Sequence, residues 1–259
     1  IKNTKGPYHL FTASMNVSGS NELLRKDTKS EHFLFSPKYV GSKSTGYIAT
    51  CKYHGSKLRL SRAMAVAGAA SSSGMGIYSF AAQSFFTTLF NIRLGQWMNN
   101  PWWYHNRKPL KRNKALFAKL RFRQLARIVF GKKRIFYRHI FSRPKPLFWL
   151  IYHLREIFGM TNANTGWVLL SDGGHTGDNL GLLPLLYRRC GVIVVSDADK
   201  DDKYTFDSFN NAVRMANIEE NITIDIDLTP ITLSTELKEM QSKQSVAFGL
   251  IHYPPKEGE

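Results

Sequence analysis

Residues 32–155 contain 23 lysines and arginines and not one aspartate or glutamate. The stretch that follows, residues 156–259, has the opposite balance, with 16 acidic and eight basic residues. Because this segment has no carboxylate side chain, its positive charge cannot be neutralised by ion pairs within the segment. Its counter-charge must therefore come from the acidic part of the chain, from solvent ions or from a polyanionic partner.

The composition excludes several classes of protein. Of the 259 residues, 43% are apolar and 13% aromatic, which is enough for a hydrophobic core and excludes wholesale disorder. The two cysteines, Cys51 and Cys190, cannot support a disulfide scaffold or a cysteine-rich zinc module, and they fit a reducing compartment. No apolar run approaches the roughly 20 residues that a membrane-spanning helix needs.

The basic residues are densest at 107–145, where 15 of them are interleaved with aromatic and aliphatic side chains. Apolar positions at near-helical spacing predict an amphipathic helix over 113–130. Cations that meet anionic head groups, with indole rings at the interface, are typical of a helix on a membrane surface. The residues that we expect to make this contact are Trp102, Trp103, Lys119, Arg121, Arg123 and Arg127.

Two other interpretations of the basic segment remain open. It can be a solvated helix that covers a core, with the stems of its lysines and arginines lying along apolar surface. It can also bind nucleic acid, whose phosphates would suit the charge. Nucleic acid is the least favoured partner, because no zinc-finger, RNP or other nucleic-acid module is recognisable.

Strands and helices are predicted to alternate in the last third of the chain. Residues 1–60 indicate short strands and loops, residues 91–160 form the basic, aromatic-rich helical segment, and helices are predicted over 61–70, 79–91 and 147–158. In 161–259, strands are predicted at 167–170, 192–195, 222–228 and 246–253, and helices at 180–189, 206–216 and 235–240. This alternation predicts an α/β layered domain.

A carboxylate follows the first of these strands, at the kind of strand end where α/β sheets bind ligands. The sequence there is Asp172-Gly173-Gly174-His175, followed shortly by Asn179. Adjacent glycines let the backbone turn tightly and approach another segment or a ligand. The aspartate would then project from the strand end, where it could act as a general base. The alternative is an aspartate that only hydrogen-bonds its own turn.

Metal ligands and a serine nucleophile are not found by motif. The aspartate-rich loop at 197–202 resembles a calcium loop, but Asp202 stands where that loop needs glycine and Ser208 where it needs glutamate. The eight histidines have no metal-binding spacing. No GxSxG motif occurs, and Ser72 and Ser44, the nearest approaches, both lack its first glycine. We therefore expect neither a metal nor a cofactor.

The sequence Ser-Asp-Gly-Gly-His-Thr-Gly-Asp-Asn-Leu-Gly-Leu at 171–182, with Arg-Arg-Cys at 188–190 and the run 192–198, resembles the patatin-like phospholipase superfamily. The similarity is closest to a branch of large, poorly characterised proteins with a domain akin to cytosolic phospholipase A2. Further stretches that resemble this branch are 33–37, 45–47, 67–70, 74–76, 91–95 and 154–159. The resemblance thus extends over most of the chain.

This resemblance implies a layered sheet with flanking helices, to which residues 91–160 add a basic helical insertion. It also implies a lipid acyl hydrolase with a Ser–Asp dyad, in which Asp172 takes the serine proton as the hydroxyl attacks an ester carbonyl. By the same match, the residues that support this loop are Gly173, Gly174, His175 and Asn179. The implied substrates are membrane lipids or lipid-like esters, and we expect an intracellular location at a membrane surface.

The family carries its serine in a GxSxG elbow, with a glycine-rich oxyanion loop upstream, and neither is present in this sequence. We therefore expect residues 1–259 to be the later portion of a longer catalytic domain. The serine would come from an upstream part of the same gene product, and the isolated chain would be inactive. A non-catalytic membrane-binding or scaffolding protein with the same fold remains the alternative.

Overall fold

A computed structural model of the chain describes residues 6–20, 28–53, 58–72, 85–87, 90, 94–102, 146–232, 242 and 244–255. Its strands are β1 (Phe11–Asn16), β2 (Ser30–Phe35), β3 (Tyr39–Ser42), β4 (Gly46–Ala49), β5 (Gln96–Asn99), β6 (Trp167–Asp172), β7 (Thr223–Ile226) and β8 (Gly249–His252). Its α-helices are α1 (Leu60–Ala67), α2 (Pro146–Ile157), α3 (Leu183–Leu186) and α4 (Asp207–Glu220), and short 3-10 helices cover Gly173–Thr176 and Thr229–Ile231.

Six strands form one sheet in the order β4-β3-β2-β1-β6-β5, and β7 pairs separately with β8. Each of these described strand pairs is antiparallel. The structure thus mixes strands and helices, as the coarse α/β class requires. Among the described residues of the last third of the chain, only β6 enters the large sheet, where it lies between β1 and β5.

Strand β6 is buried on both faces of the sheet. Val168 and Leu170 belong to the main core, to which α1 contributes Ala63 and Val66. Leu169 points the other way, because side chains alternate along a strand, and it packs in a separate cluster with aromatic residues of β5 and α2. Helices therefore cover both faces of this strand, and the prediction of a buried strand at 167–170 is confirmed.

The side chains of α3 and α4 meet in a second core, which Ile193, Ile224 and Ile251 flank. The predicted helix at 206–216 is confirmed as α4, and the one at 147–158 as α2. The helix predicted over 61–70 is α1, which begins one residue earlier and has Arg59 rather than Ser61 as its N-cap. Only the middle of the helix predicted at 180–189 is α-helical, because α3 is a single turn.

The prediction of a buried strand at 192–195 is wrong. Val192 is 85% exposed and Val194 is 89% exposed, and this part of the described chain has no strand assignment. A continuous aliphatic run is typical of a strand covered on both faces. Burial also needs neighbouring segments, however, and among the described residues Ile193 is the only member of this run that packs against a core cluster.

Most of the basic segment lies outside the described residues, as do the helix predicted at 235–240 and most of the helix predicted at 79–91. The expected membrane contacts that lie outside them are Trp103, Lys119, Arg121, Arg123 and Arg127. Trp102 is described and is 43% exposed. In the described part of the chain, no helix combines the length and the apolar character needed to cross a membrane.

Candidate active site

Asp172 is the last residue of β6 and lies opposite Ala13 of β1. Its Oδ1 accepts a hydrogen bond of 2.8 Å from the amide of Gly174, at the start of the 3-10 helix. Its own amide donates to the carbonyl of Ala69, 3.2 Å away in the segment that follows α1. The aspartate is therefore held by its own turn and by the chain that passes beside the strand end.

Asp172 is half-buried and lines a cavity of about 280 Å³. The other residues that line it are Ala70, Gly174, His175, Gly177, Asn179 and Ser208. Four of the five predicted site residues therefore surround one space, while Gly173 lies directly behind it against β1. The carboxylate is neither enclosed in packing nor placed on an open surface.

The two glycines of the motif allow close contacts. A Cβ on Gly173 would lie 2.8 Å from the carbonyl oxygen of Thr12, a backbone atom that no rotamer change can move. A Cβ on Gly174 would lie 2.6 Å from Oδ1 of Asn179. Neither glycine has a positive φ. The double glycine therefore lets the loop lie against β1 and against Asn179, which is the close approach to another segment that the sequence predicted together with a tight turn.

His175 is buried, at 8% exposure, and joins the loop to its surroundings. Its Nδ1 lies 2.9 Å from Oγ of Ser171, and the backbone of Ala70 forms a hydrogen bond with the same ring. Burial lowers the pKa of His175, although the Asp172 carboxylate and the Ala70 contact oppose this change. A neutral imidazole that is hydrogen-bonded to Ser171 and Ala70 is suited to holding the loop on β6. Asp172 is therefore the better candidate for a general base.

Asp178 is a residue of this loop to which the sequence analysis gave no role. It is 1% exposed, and its two oxygens accept hydrogen bonds of 2.9 Å from the amides of Leu182 and Leu183 at the start of α3. Because a buried carboxylate needs such partners, this arrangement satisfies Asp178 and two helix amides together. The loop is therefore fixed to β6 at one end and to α3 at the other. The sequence feature that could have indicated this role of Asp178 is an acidic residue just before a predicted helix.

Another wall of the cavity is formed by Asn179 and by Ser208 of α4, which share a hydrogen-bond partner in Asp199 of the aspartate-rich loop at 197–202. Nδ2 of Asn179 donates to Asp199 over 2.7 Å, and the hydroxyl of Ser208 donates to the same carboxylate. The hydrogen bonds from Ser208 and Asn179 lower the pKa of Asp199. Ser208 is thus a cavity serine that sequence analysis did not consider as a nucleophile. Its hydroxyl is bound to a carboxylate of lowered pKa, which is a weak base.

The serines closest to a GxSxG motif are placed elsewhere. Ser72 is 1% exposed, its Oγ has no hydrogen-bond partner among the described residues, and a Cβ on Gly95 would lie 2.6 Å from it. Ser44 lies in the turn between β3 and β4, where its amide donates to Glu31 over 2.8 Å. Neither serine lines the Asp172 cavity, so neither is positioned to use Asp172 as its base.

Two other aspartates of the loop at 197–202, Asp197 and Asp201, accept hydrogen bonds from backbone amides of the loop or of the residues just after it. Oδ1 of Asp197 accepts from the amide of Asp199 at 2.9 Å, and Oδ2 of Asp201 accepts from the amide of Phe206 at 2.7 Å. The bond from Phe206 is the main reason that the pKa of Asp201 is lowered. In the described ranges, no group of three or more His, Cys, Asp or Glu side chains could hold a metal ion.

A larger cavity of about 660 Å³ lies between β2 and the ends of α3 and α4, and none of the predicted site residues lines it. Size alone would favour it as a binding site. Two of its carboxylates are already engaged, however. Glu220 forms an ion pair of 2.8 Å with Lys43, and Glu219 accepts a hydrogen bond of 2.6 Å from the hydroxyl of Tyr187. We therefore assign the candidate chemistry to the smaller cavity.

His32 lies on the wall of the larger cavity, and its surroundings make the free energy of unfolding depend on pH. Its Nε2 is buried with no hydrogen-bond partner among the described residues, and burial lowers its pKa below the usual 6.5, against the charges of Asp178 and Glu219. The unfolded chain binds a proton near pH 6.5 that the folded chain resists. The contribution is therefore present above that pH and is lost as the pH falls through the folded pKa.

We expect protonation of His32 to lower the free energy of unfolding by up to about 1.4 kcal/mol for each unit by which the pH falls below 6.5. This loss ends when the pH has fallen below the folded pKa. Urea unfolding at a series of pH values should show a smaller slope in His32→Gln than in the wild type. The matched control is His9→Gln, because His9 is exposed, and it should keep the wild-type slope. A slope as steep in His32→Gln as in the wild type would contradict the assignment, since His175, whose pKa burial also lowers, accounts for only part of it.

Comparison with known proteins supplies no further assignment for this site. No protein-family model matches the chain, and neither does any curated protein or solved structure. The function must therefore be argued from the residues and contacts of the site itself.

Proposed function

We propose that this chain is the aspartate-bearing part of a lipid acyl hydrolase that uses a Ser–Asp dyad. The observation that carries the proposal is the position of Asp172, at the end of a strand covered on both faces and half-buried on a cavity wall. The resemblance of residues 171–182 to patatin-like phospholipases supports the same assignment. The finer architecture, a patatin-like layered sheet with a basic insertion at 91–160, belongs to this proposal.

In the proposed reaction, Asp172 accepts the proton of a serine hydroxyl as the serine oxygen attacks an ester carbonyl. Asp172 gives this proton to the departing alkoxide, so the alcohol leaves and an acyl-enzyme remains. The same carboxylate then takes a proton from water, whose oxygen attacks the acyl-enzyme, and returns that proton to the serine oxygen as the acid is released. Oδ1 of Asp172 is bound to the amide of Gly174, and no described residue donates to Oδ2. Oδ2 is therefore the atom available for the proton.

The serine is proposed to come from polypeptide outside residues 1–259, together with the amides that stabilise the oxyanion. Ser72 and Ser44 do not line the cavity, and Ser208 donates to Asp199. The basic segment at 107–145 is proposed to bring this site to membrane lipids. Trp102, 43% exposed just before that segment, supports such a contact.

We expect the isolated 259-residue chain to give no ester turnover above background. The longer gene product, including what is encoded before Ile1, should hydrolyse a fluorogenic phosphatidylcholine in anionic vesicles at least about 100-fold faster than the isolated chain, because it adds the nucleophile. The measurement is initial rate against protein concentration for both proteins. Activity in the isolated chain would contradict the proposal that its serine lies elsewhere.

A non-catalytic membrane-binding or scaffolding protein is the second candidate. It is favoured by the hydrogen bond from Gly174 to Asp172, because an aspartate in a turn needs no chemistry to explain it. A gene product without any GxSxG serine that still binds anionic vesicles would support this candidate. Tighter binding to RNA or DNA than to vesicles, with a steep salt dependence, would instead support a nucleic-acid partner.

A further inference from the structure

The larger cavity, of about 660 Å³, has no part in the proposed hydrolysis, and no described residue lines both it and the Asp172 cavity. Its volume is typical of sites that bind small molecules, which occupy about 300–1,000 Å³. Its walls come from β2, from the ends of α3 and α4, and from the residues that follow β8. It is therefore a candidate binding site in its own right.

The charged side chains that line this cavity balance one another. They are three carboxylates and three cations, namely Glu31, Glu219, Glu220, Lys43, Arg188 and Arg189. Glu220 pairs with Lys43 at 2.8 Å, and Glu219 accepts from the hydroxyl of Tyr187 at 2.6 Å. A site with no net charge attracts neither an anion nor a cation over a neutral molecule. The cavity therefore favours an uncharged ligand.

His32 contributes a hydrogen-bond acceptor to the wall, and its neighbour Thr176 determines which nitrogen this is. The Thr176 hydroxyl donates to the carbonyl of Gly173 over 2.8 Å, so it can only accept from Nδ1 of His32, 3.5 Å away. Burial lowers the pKa of His32, which keeps the ring neutral at neutral pH. Nδ1 therefore carries the hydrogen, and Nε2 has a lone pair to which no described residue donates.

Tyr253 contributes a hydroxyl to the same cavity. The Arg189 guanidinium lies 5.4 Å from the centre of the Tyr253 ring, and among the described residues the buried hydroxyl has no hydrogen-bond partner. Burial raises the pKa of Tyr253, so the side chain remains a phenol that can donate and accept. A ligand that bonds these two buried atoms relieves the cost of leaving them unpaired.

A hydroxyl group is the ligand function that matches both side chains. It can donate to Nε2 of His32 and accept from Tyr253, whereas an ether or ketone oxygen only accepts and an ammonium group only donates. The cavity also has apolar lining residues, among them Leu34 and the 48% exposed Ile218. These residues suit a hydrocarbon part of the same ligand.

We propose that the larger cavity binds an uncharged small molecule that carries hydroxyl groups beside an apolar body, with His32 and Tyr253 as its hydrogen-bond partners. Because both atoms are buried, their rings must shift toward the cavity as the ligand enters. Glycerol-type lipids and free polyols share this chemistry, and the apolar lining favours the lipids. The site is independent of the proposed hydrolysis, and its residues have no catalytic role.

The test titrates the 259-residue chain calorimetrically with 1-O-octylglycerol, below its micellar concentration. This probe has no ester, so binding is measured apart from any turnover. We expect a Kd of about 1 mM or less. The analogue with both hydroxyls methylated should bind at least about 10-fold more weakly, because it has no hydrogen for Nε2 of His32. Octyl phosphate should also bind at least about 10-fold more weakly, because the site has no net positive charge.

Tyr253→Phe and His32→Phe locate the contact. The first removes only a hydroxyl, the second removes Nε2 and keeps a ring, and each should weaken binding of 1-O-octylglycerol by about 10-fold. The matched control is Tyr39→Phe, since Tyr39 is 55% exposed and does not line the cavity, and it should keep the wild-type affinity. Circular dichroism verifies the fold of each variant, and if His32→Phe does not fold, the methylated analogue reports on this contact.

No binding of 1-O-octylglycerol, or equal binding of its methylated analogue, would overturn the proposal, and so would unchanged affinity in a folded variant of either residue. Tighter binding of octyl phosphate would overturn it in favour of an anion site. Glycerol alone should bind more weakly than 1-O-octylglycerol; equal affinity would support the hydroxyl contacts and assign the site to a free polyol. Each of these results leaves the proposed hydrolase unaffected, because none of them involves Asp172.

Discussion

Asp172→Asn in the complete protein is expected to lower kcat/KM for ester hydrolysis by about 1,000-fold. The asparagine keeps an oxygen for the 2.8 Å hydrogen bond from the Gly174 amide, so the turn is preserved. It cannot take the proton of a serine, so the attack on the ester loses its base. The free energy of unfolding should stay within about 0.5 kcal/mol of the wild type. Steady-state turnover and urea unfolding of the same preparation provide the two measurements.

The matched control for this variant is Asp227→Asn. Oδ1 of Asp227 accepts from the amide of Thr229 at 2.9 Å, the same two-residue turn contact that Asp172 makes, but Asp227 does not line the Asp172 cavity. Turnover should be unchanged in this control. Unchanged turnover in Asp172→Asn as well would remove the general-base assignment and favour the non-catalytic candidate.

The elements that local periodicity determines could be predicted from the sequence. Strand β6 and helices α2 and α4 are such elements, because their apolar spacing is contained within a few turns or residues. The antiparallel position of β6 between β1 and β5 could not be predicted in this way. It depends on pairing with Ala13, far away in sequence, and strand patterns do not specify a distant partner.

The same distinction applies to the candidate site. Asp172, His175 and Asn179 lie within eight residues of one another, so a single motif identifies the group. Ala70 and Ser208 reach the cavity from other parts of the chain, and no local pattern connects them to the motif. The error at 192–195 has a related cause, because a sequence can indicate that a strand is suited to burial without indicating what buries it.

Among the residues of this loop, we expect substitution of Asp178 to have the largest effect on the free energy of unfolding. Its carboxylate is 1% exposed and is bound to two amides at 2.9 Å, and alanine would leave both N–H groups buried without an acceptor. Because each such group costs about 1–3 kcal/mol, we expect Asp178→Ala to lower the free energy of unfolding by about 2–6 kcal/mol. Asp178→Asn should cost less, since one amide keeps its acceptor. Urea unfolding followed by circular dichroism measures both.

An exposed carboxylate with the same kind of contact provides the comparison. Asp197 accepts from the amide of Asp199 at 2.9 Å on the surface, where water can replace it. Asp197→Ala should therefore cost less than about 1 kcal/mol. A cost of Asp178→Ala no greater than this would mean that the loop is not anchored through α3. Asp172 would then have to be positioned by β6 and the Ala69 carbonyl alone, and its geometry would tolerate changes in the rest of the motif.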